Sequence, residues 1–216
     1  MNNIALVSLR NDYILSRSEN RDSIDTEIYK LLSDIGLIPF LIPNDTKIVT
    51  NLNNLIDHKR IKCLLLSGGN DLGYLKKKGG TNIYNARDEV ELKLINFCLR
   101  NKIPVIGICR GFQLVAYYLG AEIDRIDNHI NTVHKIKLKN SNTEIKVNSF
   151  HSFGLKYNNL PINIQPVGYD KKDNTIECFT TELPFRSINF MWHPERKNGA
   201  NKETKDLIKA FLNYEN

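Results

Sequence analysis

The chain has 216 residues, 41% of them hydrophobic, and its 30 Lys and Arg against 24 Asp and Glu give a formal net charge of +6. This length predicts a single domain over residues 1–216 with a substantial core. The sequence lacks the roughly 18 consecutive apolar residues of a membrane span and the features of a signal peptide, so we expect a cytoplasmic protein without a membrane partner. Lysines are scattered and no RNA- or DNA-binding module is recognisable, so a nucleic-acid partner is not expected.

The apolar periodicity of the first half predicts strands that alternate with helices. Strands are predicted at residues 4–9, 37–42, 61–67 and 103–107, helices at 23–36, 48–58, 86–101 and from Gly111 onward, and a polar loop at 10–22. This alternation predicts an α/β fold with three α/β/α layers and a mostly parallel central sheet.

The second half changes to short strands separated by turns. They are predicted at residues 133–139, 143–147, 164–168, 176–179 and 187–191, and an amphipathic helix follows at 201–214. We interpret this part as a small mixed β extension of the sheet.

The segment from Ile103 to Leu119 holds a cysteine between two glycines. An apolar run ends at Gly107, Cys109 follows, and a helical pattern opens at Gly111. Gly-x-Cys-x-Gly between a strand and a helix is the thiol version of the nucleophile elbow of hydrolases. Because a helix N-terminus favours the thiolate, Cys109 is the candidate nucleophile.

A candidate base follows a later apolar stretch. His193 comes directly after Trp192 and is followed by Pro194 and Glu195. A histidine at a strand end can take the thiol proton, and a carboxylate two residues on can hold the other ring nitrogen. We therefore assign Cys109 as nucleophile, His193 as general acid and base, and Glu195 as the orienting carboxylate.

Together these motifs resemble the class I glutamine amidotransferase-like family, and within it the free-standing γ-glutamyl hydrolase branch. The resemblance starts from Gly-Ile-Cys-Arg-Gly-Phe-Gln at 107–113 and Trp-His-Pro-Glu at 192–195. Three further segments agree in order, at residues 66–72, 87–89 and 147–151. The resemblance implies a flavodoxin-like fold and hydrolysis of a small-molecule γ-glutamyl amide through a glutamyl thioester, with no cofactor and no metal.

The resemblance also implies roles for residues around the nucleophile. Backbone N–H groups of Gly69 and Arg110 would form the oxyanion hole. Independently of the resemblance, the helix dipole opposes a cation at a helix N-terminus, so the Arg110 side chain should pair with Asp88 or Glu89 or, alternatively, help to ionise Cys109. Gln113 would hold the glutamyl head group or bond a neighbouring loop. The implied substrate-binding residues are Gln113, Asn148, Ser149, Phe150 and His151. Asn148, Ser149 and Phe150 would contribute mainly backbone groups that bind the glutamate α-carboxylate, and His151 could instead pack beneath the loop.

Two departures from the pattern of the branch concern the substrate. Met191 stands where the branch usually has glutamine, and Ser152 and Phe153 replace a histidine and a glutamine. These changes argue against direct transfer of γ-glutamyl-γ-aminobutyrate or γ-glutamyl folates as substrates. The open alternatives are a glutaminase subunit that supplies ammonia to a synthetase partner, a hydrolase of γ-glutamyl-γ-aminobutyrate-like conjugates, and a silent binding module. A monomer or homodimer is expected.

A run of lysines bears on the leaving group. Lys76, Lys77 and Lys78 follow the glycine pair Gly68-Gly69 within a short loop. The loop containing Arg17 and Arg21 is expected at the same edge of the sheet, where the parallel strands end. The lysines either form a solvated surface or contact a phosphate-bearing leaving group. The second interpretation suggests a γ-glutamyl nucleotide amidate of the kind used in capsule polysaccharide biosynthesis.

The other cysteines and histidines carry weaker signals. Cys63, Cys98 and Cys178 lack CxxC spacing and are expected to be buried structural thiols. His129 and His134 form an H-x4-H pair, with Asp124 and Asp127 close in sequence. Such loop residues seldom bind metal, so no metal site is expected there.

Overall fold

The computed structural model describes residues 3–139, 144–158 and 160–213. No helix within these ranges is both long and apolar enough to cross a membrane. The helices are α1 (Glu27–Asp34), α2 (Thr46–Thr50), α3 (Leu52–Leu55), α4 (Asn85–Asn101), α5 (Arg110–Tyr118) and α6 (Lys202–Asn213). The strands are β1 (Ile4–Ser8), β2 (Arg10–Ile14), β3 (Glu19–Ser23), β4 (Ile38–Ile42), β5 (Ile61–Leu66), β6 (Val105–Ile108), β7 (Asp124–Arg125), β8 (Ile130–Leu138), β9 (Glu144–Phe150), β10 (Phe153–Lys156), β11 (Gln165–Asp170), β12 (Thr175–Thr181) and β13 (Ser187–Phe190).

Five strands form the parallel part of the central sheet, in the order β4-β1-β5-β6-β13. Their side chains alternate between two helical layers, as a strand period of two requires. Leu6 and Leu64 pack with the apolar side chains of α2 to α5. Val7, Leu65 and Ile106 pack on the opposite face with those of α1 and α6. The predicted three-layer α/β/α architecture is therefore confirmed.

The remaining strands continue the same sheet in antiparallel fashion, in the order β13-β12-β11-β8-β9. Strand β10 pairs with both β12 and β7 at its edge. The predicted extension is thus larger than expected, and it shares the hydrogen-bonded ladder of the parallel part. Because β13 belongs to both parts, the antiparallel strands are fixed directly to the strand that precedes His193.

Most predicted elements begin and end within four residues of their observed limits. The predicted loop at 10–22 is wrong, because β2 and β3 form a hairpin there. Its residues are polar on both faces and its ladder is supported by hydrogen bonds such as Ser23 Oγ to Asp12, so no apolar alternation marks it. Residues 143 and 214, the ends of two predicted elements, lie outside the described ranges.

Candidate active site

The site lies where neighbouring parallel strands end. In the registers of β5, β6 and β13, Leu66 lies opposite Gly107, and Ile108 lies opposite Phe190. The Cys109 backbone N–H donates to the Phe190 carbonyl at 2.8 Å. Carboxyl ends of adjacent parallel strands share one edge of the sheet. The segments that carry Cys109 and His193 therefore meet although they are distant in sequence.

The turn predicted at Cys109 is present. Cys109 has φ 51° and ψ −97°, a conformation that non-glycine residues seldom adopt, and α5 begins at the next residue. Any side chain at Gly111 would overlap the backbone of Leu66, and one at Gly107 would overlap Asn189 and Gly111. The glycines are therefore needed for the close packing of strand and helix around the strained cysteine.

Next to the thiol, His193 is held by a carboxylate. His193 Nδ1 lies 2.7 Å from Glu195 Oε1, and the side chains of Cys109, His193 and Glu195 are all buried. Burial opposes the charged ring, but the Cys109 and Glu195 side chains raise the pKa of His193 to about 9. Burial also opposes the thiolate, yet the neighbouring His193 lowers the pKa of Cys109 below its usual value. Both shifts favour a thiolate–imidazolium pair.

The other three cysteines differ from Cys109 in this respect. Cys63, Cys98 and Cys178 are buried and free of disulfides. Burial raises the pKa of Cys63 to about 12 and raises the pKa values of Cys98 and Cys178 as well. They are inert thiols at neutral pH, in keeping with the expected structural role.

The buried Arg87 holds the glycine loop, which is residues 67–69, beside the thiol. Arg87 Nη2 donates to the Ser67 carbonyl at 2.6 Å, and Arg87 Nη1 donates to the carbonyls of Gly68 at 3.1 Å and Gly69 at 2.5 Å. Because the C=O and N–H of a trans peptide point in opposite directions, the Gly69 N–H points away from Arg87. Gly69 borders the cleft, so this orientation suits an oxyanion donor.

The Arg110 side chain is held by carboxylates of α4. It is buried and forms ion pairs with Asp88 and Glu91, whereas Glu89 is exposed. Glu91 also accepts hydrogen bonds from Ser8 Oγ at 2.7 Å and Arg87 Nε at 2.9 Å. Of the two predicted partners Asp88 is therefore right and Glu89 is wrong. The sequence indicated an acidic partner but not that Glu91 is on the buried face of α4.

Residues 148–151, predicted as a loop, are the end of β9 and the residue after it, and their side chains fall into two groups. Asn148 Nδ2 donates to the carbonyls of His193 at 3.0 Å and Lys197 at 2.9 Å, while its Oδ1 accepts from the His193 backbone N–H at 2.8 Å. Ser149 Oγ donates to the His129 carbonyl at 2.6 Å. The side chains of Asn148 and Ser149 thus bind neighbouring backbone segments. The predicted contacts of these two residues with substrate would have to come from their backbone groups, and they stay a prediction.

Phe150 and His151 of this segment border the cleft, a cavity of about 230 Å³ that is also lined by Cys109. Phe150 is half exposed and its ring lies edge-on to His193, with centroids 5.7 Å apart. His151 borders the cleft, but its Nδ1 lies 3.1 Å from the Phe153 carbonyl. Gln113 Nε2 donates to the same carbonyl, at the start of β10, at 3.1 Å. Gln113 also borders the cleft, so its contact with the glutamyl head group stays a prediction.

The basic residues at the cleft are not the predicted lysines. Lys78 Nζ lies 2.9 Å from Glu122 and 2.6 Å from Asp124, and the described lining of the cleft contains none of Lys76–Lys78. Arg10 and Arg196 border both the cleft and an adjoining cavity of about 210 Å³. The expected phosphate contact of the lysines is thus not supported by their position.

Fold and site together define a class I glutamine amidotransferase-like protein. The family model described as Peptidase C26 matches residues 7–195, and the chain belongs to this family.

Relatives and solved structures agree with this assignment. The chain is 38% identical to the γ-glutamyl-CDP-amidate hydrolase of Campylobacter jejuni subsp. jejuni serotype O:2, over 69% of this chain and 72% of that protein. It is 26% identical to one subunit of the glutamine-hydrolysing GMP synthase of Methanococcus aeolicus, over 85% and 88% of the two chains. The structure of a GMP synthase subunit from Thermoplasma acidophilum superposes with a TM-score of 0.68 at 17% identity, over 98% and 94%, which shows the shared fold. The protein is accordingly a glutamine amidotransferase-like hydrolase.

Proposed function

We propose that the protein hydrolyses a γ-glutamyl amide to glutamate and a free amine or amidate, using Cys109, His193 and Glu195. One observation carries the proposal: an elbow thiol with a lowered pKa shares a cleft with an imidazole held at 2.7 Å by a carboxylate. This is the arrangement of nucleophile, base and orienting group that acyl transfer needs.

In the first half-reaction the Cys109 thiolate attacks the δ-carbonyl carbon of the glutamyl group. The developing oxyanion is stabilised by backbone N–H groups of Gly69 and Arg110, each such donor being worth about 3 kcal/mol of barrier. The Gly69 N–H is oriented by Arg87, and the Arg110 N–H lies in the first turn of α5, where helical N–H groups have no intrahelical partner. The C–N bond then breaks, and protonated His193 gives its proton to the leaving nitrogen.

In the second half-reaction, water attacks the carbonyl carbon of the glutamyl thioester. Neutral His193 takes the water proton, the C–S bond breaks and glutamate leaves with the thiolate restored. Glu195 keeps the ring oriented and stabilises its charged form in both steps. Every proton that moves passes through His193, so the chemistry requires no cofactor.

The proposed leaving group is an anionic phosphoramidate, and γ-glutamyl-CDP-amidate is the proposed substrate. Two features support this choice: Arg10 and Arg196 border both the cleft and the adjoining cavity, and the chain resembles a γ-glutamyl-CDP-amidate hydrolase. A planar guanidinium matches phosphate oxygens in bidentate fashion. We assign the leaving-group contacts to these arginines instead of to Lys76–Lys78.

The test is a hydrolysis screen with γ-glutamyl-CDP-amidate, γ-glutamyl-γ-aminobutyrate and glutamine. We expect the nucleotide amidate to have the highest kcat/KM, and Cys109→Ala to abolish hydrolysis of all three. Arg10→Ala or Arg196→Ala should raise KM for the nucleotide amidate but not for glutamine, whereas a Lys76/Lys77/Lys78 triple alanine variant should match the parent. Full activity of Cys109→Ala contradicts the mechanism, and equal KM effects on all substrates contradict the leaving-group assignment.

A second function is favoured by the similarity to a subunit of GMP synthase. Under this alternative the chain is a glutaminase that delivers ammonia to a separate synthetase. It predicts slow hydrolysis of glutamine that a synthetase partner accelerates. Glutamine turnover that stays slow when candidate synthetases are added, beside rapid turnover of the nucleotide amidate, excludes this alternative.

A further inference from the structure

A second cluster of ionisable side chains lies in the antiparallel part of the sheet. His129 precedes β8, His134 is in β8, His151 follows β9 and Glu177 is in β12. Their exposed fractions are 3%, 8%, 3% and 0%. Asp124 and Asp127, the predicted neighbours of the histidine pair, do not belong to the cluster as the structure describes it, and Asp124 pairs with Lys78 instead.

The inner atoms of this cluster face one another without hydrogen bonds. His129 Nδ1 lies 3.5 Å from Glu177 Oε1, while His134 Nε2 and His151 Nε2 lie 3.5 and 3.7 Å from Glu177 Oε2. All five of these buried atoms lack a hydrogen-bond partner within the described residues. A buried polar atom without a hydrogen-bond partner is destabilising, and a positive charge between these five atoms would give all of them a partner.

On each imidazole, the ring nitrogen that does not face Glu177 lies near a hydrogen-bond acceptor. His129 Nε2 lies 3.2 Å from Asp173 Oδ2, His134 Nδ1 lies 2.9 Å from Asp170 Oδ2, and His151 Nδ1 lies 3.1 Å from the Phe153 carbonyl. An acceptor at one ring nitrogen places the proton there and leaves the lone pair on the other nitrogen. Three lone pairs are therefore directed at the Glu177 carboxylate, and outer partners of this kind surround metal-binding histidines generally.

We propose that His129, His134, His151 and Glu177 bind one divalent transition-metal ion, with zinc the best match. Three imidazoles and a carboxylate are a typical zinc donor set. A tetrahedral site with bonds of about 2.0–2.1 Å has ligand–ligand distances of about 3.3–3.4 Å, close to the observed separations from Glu177. The ligand atoms of His129, His151 and Glu177 all lie within 4.8 Å of one another, whereas His134 forms such a group with His129 and Asp170. His134 Nε2 lies 3.5 Å from Glu177 Oε2, and it would have to shift further than the other ligands to close the site around an ion.

The ion would brace one wall of the cleft. Its ligands join β8, the end of β9 and β12, and His151 directly follows Phe150, whose ring packs against His193. The Phe153 carbonyl accepts from Gln113 and faces His151. The metal is thus assigned a structural and positioning role, and its binding does not depend on which amide the enzyme cleaves.

Metal content of the purified full chain tests the proposal, with a tag other than polyhistidine. We expect the parent to bind about one equivalent of zinc by elemental analysis, and the ligand variants His134→Asn and Glu177→Gln to lose it. His58→Ala is the matched control, because His58 is exposed and outside the cluster. Asp170→Asn, which changes only an outer partner, should weaken metal affinity about 10- to 100-fold.

Thermal unfolding supplies a readout that is independent of activity. Zinc added to the metal-free protein should raise the Tm of the parent and of His58→Ala but not that of the ligand variants. Should the ligand variants fail to fold, Asp170→Asn carries the test. The proposal is overturned if the folded, metal-free parent takes up neither zinc nor cobalt, which would assign protonated histidines to the cluster. Equal metal content in parent and ligand variants also overturns it.

Discussion

Gly68 lies between the two side chains on which the proposed chemistry depends. A Cβ at this position would lie 2.7 Å from His193 Cε1 and 3.6 Å from Cys109 Cβ. Since ordinary contact begins at 3.4 Å, the imidazole of Gly68→Ala must move by about 0.7 Å, while the cysteine can stay in place. The ring resists this movement because Glu195 holds its Nδ1 and Asn148 holds its backbone N–H.

The expected loss follows from this displacement. A misplacement approaching 1 Å between reacting groups costs about 100-fold in rate, so kcat/KM of Gly68→Ala should fall about 100-fold. Overpacking should also lower the free energy of unfolding by about 1–3 kcal/mol. As the imidazole moves away from Cys109, the pKa of the thiol should rise toward the value that burial alone would give.

Three measurements on purified protein check this reasoning: hydrolysis of the nucleotide amidate, pH-dependent alkylation of Cys109, and urea unfolding. Gly168→Ala is the matched control, because its new methyl group would lie 3.3 Å from the flexible end of Ile136, away from the cleft. It should lose little activity. Parent-like kcat/KM in a folded Gly68→Ala variant would refute the acid–base role assigned to His193 at this position.

Three further outcomes are expected. Alkylation of Cys109 should have a pH midpoint below that of a free thiol, and His193→Asn should raise this midpoint because the main group that opposes the effect of burial on the thiol pKa is then lost. Coinciding midpoints would exclude the ion pair. Asn148→Ala removes the hydrogen bonds from the Asn148 amide to the His193 backbone, so kinetics should show a lower kcat with little change in KM. Urea denaturation should show that the free energy of unfolding falls by about 1–3 kcal/mol. Glu91→Ala removes the buried carboxylate that Arg87 and Arg110 share, leaving Arg110 with Asp88 alone, and should cost about 3–5 kcal/mol of the free energy of unfolding. Exposed Glu89→Ala should stay within about 0.5 kcal/mol; similar losses would contradict the observed pairing.

The parallel part of the fold could be predicted because its strands are apolar on both faces and its helices have one apolar side. The β2–β3 hairpin could not, since it is polar and its register depends on hydrogen bonds such as that from Ser23 to Asp12. Strand β7 is two residues long and β10 four, too short for either to show a period. Local pattern thus predicts elements that bury an apolar face and misses those held by polar contacts.

The same limit applies to the site. Cys109 and His193 stand out because each belongs to a short motif at the end of an apolar run. Asn148 does not, because its function depends on which way the amide points from the end of β9. Arg87 belongs to a recognisable motif, but its contact with three carbonyls of the glycine loop requires the packing of α4 against the sheet.

The histidine cluster shows why sequence proximity is a poor guide to ligands. The H-x4-H pair directs attention to Asp124 and Asp127, yet pairing of β8 with β9 brings His129 to His151 instead. Glu177 reaches them only because β12 lies beyond β11 in the same sheet. Strand order therefore selects the donors, and no spacing along the chain encodes it.

The two parts of the sheet divide the chemistry between them. The parallel strands fix the nucleophile and the glycine loop, and the antiparallel strands hold the base through Asn148 and bound the cleft through Phe150. Gly68→Ala perturbs the first arrangement and should leave metal content unchanged, whereas Glu177→Gln should lose metal while Cys109 keeps its elbow geometry. If both variants lost metal and activity together, the two parts would have to move as one unit, and their separate roles would fail.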